Sequence, residues 1–305
     1  MMFAYLLDTI LPFFAIGALG FLLGRRGNFD VSMAVAINKF VMHIAVPALI
    51  ISFMSEFSFT EINFRLLGGY LFAEVTIFIL AISITRLICK YDWKEAVLIG
   101  ATVALTNHLL FALPIGEQIY DETSVLPIIS IITMDGLLLF TATLVFMDIL
   151  TSNGKNWQNT CIKIAKNPPI LAIFLGLVIS IKEISLPAGL DLFFESLGNS
   201  ASPALLFSLG VMLSQFSLRN RKPLVWTMVC LKLIIHPLLA YFIFQFLLDL
   251  KLEELGPAML VAAAPCGIMG FMFALNYKVD TQTISSAILY TSIGSLATLT
   301  LAANL

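Results

Sequence analysis

Two stretches of the sequence decide the fold: TVALTNHLLFALPIG at residues 102–116 and MLVAAAPCGIMGFMFAL at residues 259–275. Both are apolar enough for a membrane helix, yet each contains helix-breaking residues, Pro114 in the first and Pro-Cys-Gly at 265–267 in the second. Backbone groups freed by such breaks are tolerated at membrane depth only inside protein or around a water-filled cavity. We therefore expect two broken helices that face each other near the bilayer midplane. Two ordinary kinked helices are the alternative.

The composition around these stretches is that of a membrane protein. Of the 305 residues, 59% are hydrophobic and 12% are charged, and the mean hydropathy is +0.97. Soluble domains carry about 25% charged residues. The formal net charge of −2 offers no basic surface for nucleic acid, and the four cysteines show no metal or disulfide spacing. These features exclude a soluble enzyme, a nucleic-acid binder and a disulfide scaffold.

Ten apolar stretches are candidates to cross a bilayer, because a crossing helix needs about 20 mostly apolar residues. They cover residues 4–23, 34–54, 66–88, 95–119, 124–149, 169–182, 192–213, 223–248, 256–276 and 283–302. The loops between them are short and leave no room for a soluble domain. The fold class predicted is an all-α polytopic membrane protein with ten transmembrane helices, of which the fourth and ninth are broken.

An internal repeat divides these spans into two sets of five. VPALIISF at 46–53 resembles SPALLFSL at 202–209, and Phe-Ala-Leu occurs at both 111–113 and 273–275. We predict a five-helix repeat at residues 1–150, a cytoplasmic linker at 151–168 and a second five-helix repeat at 169–305. Because five is odd, the second repeat enters the membrane the opposite way, which is typical of secondary transporters. Chance similarity between apolar segments is the alternative.

The basic residues predict the orientation, since cytoplasmic loops are enriched in Lys and Arg. The odd-numbered loops hold Arg25, Arg26, Arg86, Lys90, Lys94, Lys155, Lys163, Lys166, Arg219, Arg221, Lys222 and Lys278. The even-numbered loops hold Arg65, Lys182 and Lys251. We therefore expect a multi-pass protein of the plasma (inner) membrane with both termini extracytoplasmic.

Ionisable residues inside spans are costly and usually functional. Glu74, Asp135 and Lys232 lie deepest, and we expect Lys232 to pair with Asp135 or Glu74. This group is either a structural ion pair or a titrating site that couples protons to transport. His108 stands at the first break beside Asn107, where an imidazole could bind an anion or carry a proton. His43 and His236 are interpreted as polar packing groups.

Several stretches together resemble the auxin efflux carrier family: INKFVMHIAVPALI at 37–50, the Asn107…Pro114 spacing, LKLIIHPLLA at 231–240 and APCGIMGFMFALNYKVD at 264–280. The resemblance implies a fold similar to that of bile-acid sodium symporters, in which the broken fourth and ninth helices cross. It implies a scaffold made of helices one, two, six and seven and a mobile, elevator-like domain made of the others. It also assigns the crossover asparagine to Asn107 and the crossover prolines to Pro114 and Pro265.

The function predicted is secondary transport of a small organic anion, of the carboxylate class, by proton coupling or uniport. The substrate-binding residues predicted are Asn107, His108, Pro114, Pro265, Cys266 and Gly267. The residues predicted to provide coupling or an ion pair are Asp135, Lys232 and Glu74. No cofactor or metal is expected; the partners are the anion and the lipid bilayer, and homodimerisation is left open. The alternatives are a sodium-coupled symporter of the bile-acid type and a transport-inactive sensor that keeps the fold.

Overall fold

The computed structural model describes residues 2–56, 62–120, 125–152, 161–162, 164–215 and 223–305. Within these residues the chain is helical, and its extended pairing is confined to one isolated bridge. Half of the predicted linker at 151–168, including Lys155 and Lys163, and the basic residues Arg219, Arg221 and Lys222 lie outside the described residues. The all-α character predicted from the sequence is confirmed.

Twelve helices make up the described fold, and two of the predicted spans are divided. In chain order they are α1 Met2–Arg25, α2 Val31–Ser55, α3 Phe64–Ile88, α4 Trp93–Ala104, α5 (the adjoining pieces His108–Ala112 and Leu113–Ile119), α6 Leu126–Thr151, α7 Pro168–Ile181, α8 Ala188–Ser214, α9 Pro223–Leu247, α10 Leu252–Ala263, α11 Met269–Asn276 and α12 Gln282–Ala302. Six of them, α2, α3, α6, α8, α9 and α12, are long and apolar enough to cross a membrane. The chain is therefore a polytopic membrane protein.

Capping side chains define where several helices begin. The Asp30 carboxylate accepts a hydrogen bond from the amide of Met33 (2.9 Å) at the start of α2 and another from the Ser32 hydroxyl (2.6 Å). Because these bonds favour the charged form, they hold the pKa of Asp30 below its usual value. Asn63 and Asp92 cap α3 and α4 in the same way, so each helix has a fixed first turn.

Three helices contain a widened turn that ends two residues before a proline. These turns cover Val41–Ala45 in α2, His108–Ala112 in α5 and Leu231–Ile235 in α9, and the prolines are Pro47, Pro114 and Pro237. A proline has no amide hydrogen and its ring clashes with the preceding turn, so one wider turn accommodates it without ending the helix. Pro114 therefore lies inside a continuing helix and does not form the break.

The helices group into two compact units. The first comprises Met1–Ile10, Asn63–Trp157 and Phe216–Leu305, and so contains α3–α6 and α9–α12. The second comprises Leu11–Ile62 and Gln158–Gln215, with α2, α7, α8 and most of α1. The helices that the resemblance assigns to a scaffold are those of the second unit, apart from the first ten residues of the chain.

Close helix packing and one polar contact characterise the second unit. A side chain at Gly210 of α8 would overlap the carbonyl oxygen of Gly17 in α1, so the two backbones are in direct contact there. The buried amide of Asn38 accepts a hydrogen bond from the Ser208 hydroxyl (2.9 Å) and contacts the sulfur of Met212 (3.6 Å). This polar contact joins α2 to α8.

In the first unit, α3 and α9 end with the same local geometry. The amide of Cys89 donates to a carbonyl five residues back (3.0 Å), and Lys90 then adopts φ 60°. The amide of Leu248 does the same (3.0 Å), and Asp249 adopts φ 48°. Each ending leads into a helix of 12 residues, α4 or α10. The two halves of this unit therefore repeat a helix, its termination and the helix that follows.

Candidate functional site

The breaks after α4 and α10 meet and pair through their backbones. The amide of Asn107 donates to the carbonyl of Pro265 (3.0 Å), and the amide of Gly267 donates to the carbonyl of Leu105 (2.7 Å). Together they form the isolated antiparallel bridge of the chain's described part. The prediction that the two breaks face each other is confirmed. Their position relative to the bilayer stays a prediction.

Glycine is required where the two breaks touch. A Cβ on Gly267 would lie 2.5 Å from the carbonyl oxygen of Leu105, which is backbone and cannot move aside cheaply. A Cβ on Gly270, in the first turn of α11, would overlap the Thr102 hydroxyl. Gly267 and Gly270 therefore permit the close approach of the two segments.

A buried lysine lies directly against the first break. The Lys232 side chain is fully buried, and its ammonium donates to the Thr106 hydroxyl and to Nδ1 of His236, 3.0 Å away. The Tyr70 hydroxyl also contacts the Thr106 oxygen (3.2 Å). Because an ammonium can only donate, Nδ1 of His236 is an acceptor and that ring is neutral.

The predicted direct pairing of Lys232 with Asp135 or Glu74 is wrong. The ammonium contacts Thr106 and His236, while Asp135 bonds to His108. The break turns Thr106 toward α9, and the four-residue spacing of Lys232 and His236 places both on one helix face. The three groups still interact electrostatically, since Lys232 attracts both carboxyl groups and Glu74 and Asp135 interact with each other.

His108 and Asp135 form a hydrogen-bonded pair beside the first break. Nε2 of His108 lies 3.0 Å from Oδ2 of Asp135. The Asp135 side chain is 1% exposed and that of His108 is 12% exposed. Both residues were singled out in the sequence, but their pairing was not.

We call these residues the crossover cluster: Tyr70, Glu74, Thr106, Asn107, His108, Asp135, Lys232 and His236. Several of its buried polar atoms have no hydrogen-bond partner among the described residues. These atoms are Nδ2 of Asn107, Nδ1 of His108, Oδ1 of Asp135, both carboxylate oxygens of Glu74 and Nε2 of His236. Folded proteins pair nearly all buried polar groups, so this concentration of free donors and acceptors indicates a site that receives a ligand or protons.

Three of the other predicted site residues are backbone elements of the crossover, whereas Pro114 lies in the first turn of the Leu113–Ile119 piece of α5. Pro265 and Gly267 supply the two hydrogen bonds described above, and Cys266 is fully buried between them. The Cys266 amide donates to the Thr291 hydroxyl (3.2 Å), which joins the second break to α12. Among the described residues, no group of three His, Cys, Asp or Glu side chains is placed to hold a metal ion.

Four residues of the site were missed or misread in the sequence. Thr106 was placed at the first break without a role, Tyr70 and Thr291 were not noticed, and His236 was interpreted as a packing group. The four-residue spacings Tyr70–Glu74 and Lys232–His236 are a signal that could have found two of them, because such pairs share a helix face. Thr106 and Thr291 carried no signal, since a threonine in an apolar helix is common.

Comparison with known proteins defines the class to which this arrangement belongs. Residues 5–303 match the family described as membrane transport protein, and the chain belongs to that family. It is 24% identical over 308 residues to the "Putative malonate transporter" of Rhizobium meliloti (strain 1021), covering 97% of this chain and 94% of that protein. It is 22% identical over 356 residues to auxin efflux carrier component 8 of Arabidopsis thaliana, covering 96% and 95%. The resemblance to the auxin efflux carrier family is thus confirmed.

A further relative differs in length and in the function its name gives. The lysosomal cholesterol signaling protein of Mus musculus is 24% identical over 254 residues. The match covers 77% of this chain and 29% of that protein.

Proposed function

We propose that the protein is a secondary transporter of a small organic anion of the carboxylate class. The observation that carries the proposal is a pair of buried polar atoms at the first break without hydrogen-bond partners among the described residues, Nδ2 of Asn107 and Nδ1 of His108, in the same cluster as the buried ammonium of Lys232. A carboxylate is planar and accepts hydrogen bonds at two oxygens. One oxygen would accept from Nδ2 of Asn107 and the other from Nδ1 of His108, with Pro265, Cys266 and Gly267 forming the opposite wall.

The proposed transport cycle is elevator-like and uses the two units differently. The first unit is the mobile domain, because it contains the crossover cluster and both breaks. The second unit is the scaffold, because its α1 and α8 pack backbone to backbone, which suits a part that does not change shape. The ten predicted spans cross as two inverted five-helix repeats in the plasma membrane. The shared ending of α3 and α9 supports that repeat.

The proposed topology has both termini outside the cytoplasm. A reporter that works only in the cytoplasm, fused after Leu305, should be inactive. The same reporter placed at residue 155, in the predicted cytoplasmic linker, should be active and serves as the control. An active reporter at the C-terminus would contradict the inverted five-helix arrangement.

Asn107→Ala tests the proposed site with malonate as the probe. The variant loses a donor to the ligand, so its affinity should fall by about 1–3 kcal/mol, which is roughly 5- to 150-fold. Asn304→Ala makes the same change at an exposed position near the C-terminus and should bind as the unmodified protein does. Melting temperature and malonate affinity are measured on the same samples. A lower melting temperature with unchanged affinity would remove Asn107 from the site.

A sensor that binds its ligand without transporting it is the second candidate, and the name of the mouse relative as a signaling protein favours it. Uptake of labelled malonate into proteoliposomes separates the two. Binding with uptake at the protein-free rate indicates a sensor, whereas uptake above that rate indicates a transporter. Uptake that requires sodium would instead support a symporter of the bile-acid type.

A further inference from the structure

The hydrogen bond between His108 and Asp135 fixes where this histidine can accept a proton. A charged carboxylate has no hydrogen to donate, so Nε2 of His108 must carry the hydrogen in the 3.0 Å contact with Oδ2. Nδ1 then has a lone pair, and it is the nitrogen without a hydrogen-bond partner among the described residues. In this state the pair holds one proton, and His108 offers an acceptor rather than a donor at the break.

A carboxylate ligand cannot bind to that state of Nδ1, because both groups are acceptors. Two arrangements place a hydrogen on Nδ1 and keep the contact with Asp135. In one, an imidazolium faces the carboxylate; in the other, a neutral ring with Nδ1–H accepts from a protonated carboxyl. Both hold two protons. The remaining one-proton arrangement points the lone pair of Nε2 at a negative oxygen 3.0 Å away and is repulsive.

We infer that the His108–Asp135 pair takes up one proton for each carboxylate that binds at the first break, so that the protein moves an anion and a proton together. This inference rests on the proposed function and deepens it. The proton enters from water, forms the Nδ1–H bond that donates to the ligand, and returns to water when the ligand leaves. His108 binds the ligand, and Asp135 is a positioning residue that sets the proton count.

Other ionisable groups lie on the elements that pack against the pair or interact with it electrostatically. The elements in contact with His108–Ala112 are the rest of α5, with Glu117, α6, with Asp135, and α10. From α3 and α9, Tyr70, Glu74 and Lys232 interact with Asp135 electrostatically. The Lys232 ammonium attracts the Asp135 carboxylate, whereas Glu74 would repel it only in its charged form.

Asp135→Asn separates proton uptake from binding. An amide can accept or donate, so Nε2 no longer has to carry the hydrogen, and a neutral ring can place it on Nδ1 without an added proton. The variant should therefore keep malonate binding and lose its proton uptake. A residue with a merely structural role would lower binding and leave the number of protons per malonate unchanged.

The experiment is calorimetric titration of the purified full-length protein with malonate at pH 7.5, in buffers of different ionisation enthalpy. We expect about one proton taken up per malonate for the unmodified protein and about none for Asp135→Asn. The affinity of the unmodified protein should fall up to tenfold per pH unit as pH rises, whereas that of Asp135→Asn should not change. His43→Gln is the control, because His43 is exposed and bonds to the Lys39 carbonyl in the second unit; its proton uptake should stay at one.

Three results separate this inference from the proposed function. Malonate binding without proton uptake in the unmodified protein overturns the inference and leaves the transporter proposal intact. Proton uptake that persists in Asp135→Asn places the proton elsewhere and also overturns it. If Asp135→Asn does not fold, His108→Gln replaces it, and its malonate affinity must be independent of pH. Absence of binding by malonate or any small carboxylate overturns the proposed function itself.

Discussion

Each unit of the molecule buries an asparagine, but the two side chains differ in their hydrogen-bond partners. In the second unit, both ends of the Asn38 amide are satisfied, by Ser208 and by Met212. In the first unit, Asn107 is buried to the same degree and its Nδ2 has no partner among the described residues. A satisfied polar group stabilises helix packing, whereas an unsatisfied one costs stability and is retained where it serves a ligand. Hydrogen-bond partners, rather than burial, therefore distinguish a polar side chain that stabilises helix packing from one that serves a ligand.

The largest expected effect comes from removing the one cation of the crossover cluster. Lys232→Met leaves the carboxylates of Glu74 and Asp135 without the positive charge that attracts both. Removing one partner from a buried charged group typically costs about 3–5 kcal/mol. The variant should melt at a clearly lower temperature and take up no malonate, as measured by thermal unfolding and by proteoliposome uptake.

A second substitution sharpens this prediction. Glu74→Gln combined with Lys232→Met removes one uncompensated carboxylate, so the double variant should recover part of the lost stability but not the uptake. Equal melting temperatures for Lys232→Met and the unmodified protein would show that the buried carboxyl groups do not depend on this cation, and would contradict the prediction.

An intermediate effect is expected in the second unit from a change that adds one methyl group. Gly210→Ala forces the α1 and α8 backbones apart and should cost about 1–3 kcal/mol, the usual range for overpacking. Gly68→Ala is the matched control, because nothing lies within 4 Å of its added Cβ and alanine favours the helix. Thermal unfolding should show a lower melting temperature for the first variant alone. Loss of malonate affinity in folded Gly210→Ala would contradict the assignment of this unit to the scaffold.

The smallest effect is expected from the polar contact of the second unit. Asn38→Ala removes a partner of Ser208, but that hydroxyl keeps its bond to the Leu205 carbonyl (3.0 Å). The stability lost should be that of one ordinary hydrogen bond, about 0.5–1.5 kcal/mol. Malonate affinity, measured on the folded fraction, should be unchanged. A larger loss of affinity than in Asn107→Ala would reverse the roles given to the two asparagines.

Much of the fold could be predicted from the sequence because it depends on local features. Apolar runs of sufficient length gave the helices, and Pro265 with Gly267 marked the second break where the structure has it. The residues of the first break were interpreted less well than its position. The prediction placed this break at Asn107, where the structure has it, but it also counted Pro114 as a helix-breaking residue, and Pro114 lies inside α5. A proline that a widened turn absorbs looks the same in sequence as one that ends a helix.

The sequence predicted which residues belong to the site better than it predicted which of them contact each other. Depth in the membrane singled out Glu74, Asp135 and Lys232, since burial of charge is costly in any fold. Which atom contacts which depends on the rotation of each helix, and that is set by packing along its whole length. Lys232 therefore contacts Thr106 and not Asp135 as predicted, and Asp135 is hydrogen-bonded to His108.

The backbone bridge at the crossover has a consequence for the synthesis of the chain. The partners of the first break, Pro265 and Gly267, follow Asn107 and Leu105 by about 160 residues. At a synthesis rate of 5–20 residues per second, the backbone groups of the first break lack their hydrogen-bond partners for roughly 8–32 s, until those partners are made. In lipid, each unsatisfied backbone group costs several kcal/mol. A chain truncated before residue 267 cannot form both of these hydrogen bonds. We expect membrane proteases to recognise and degrade it.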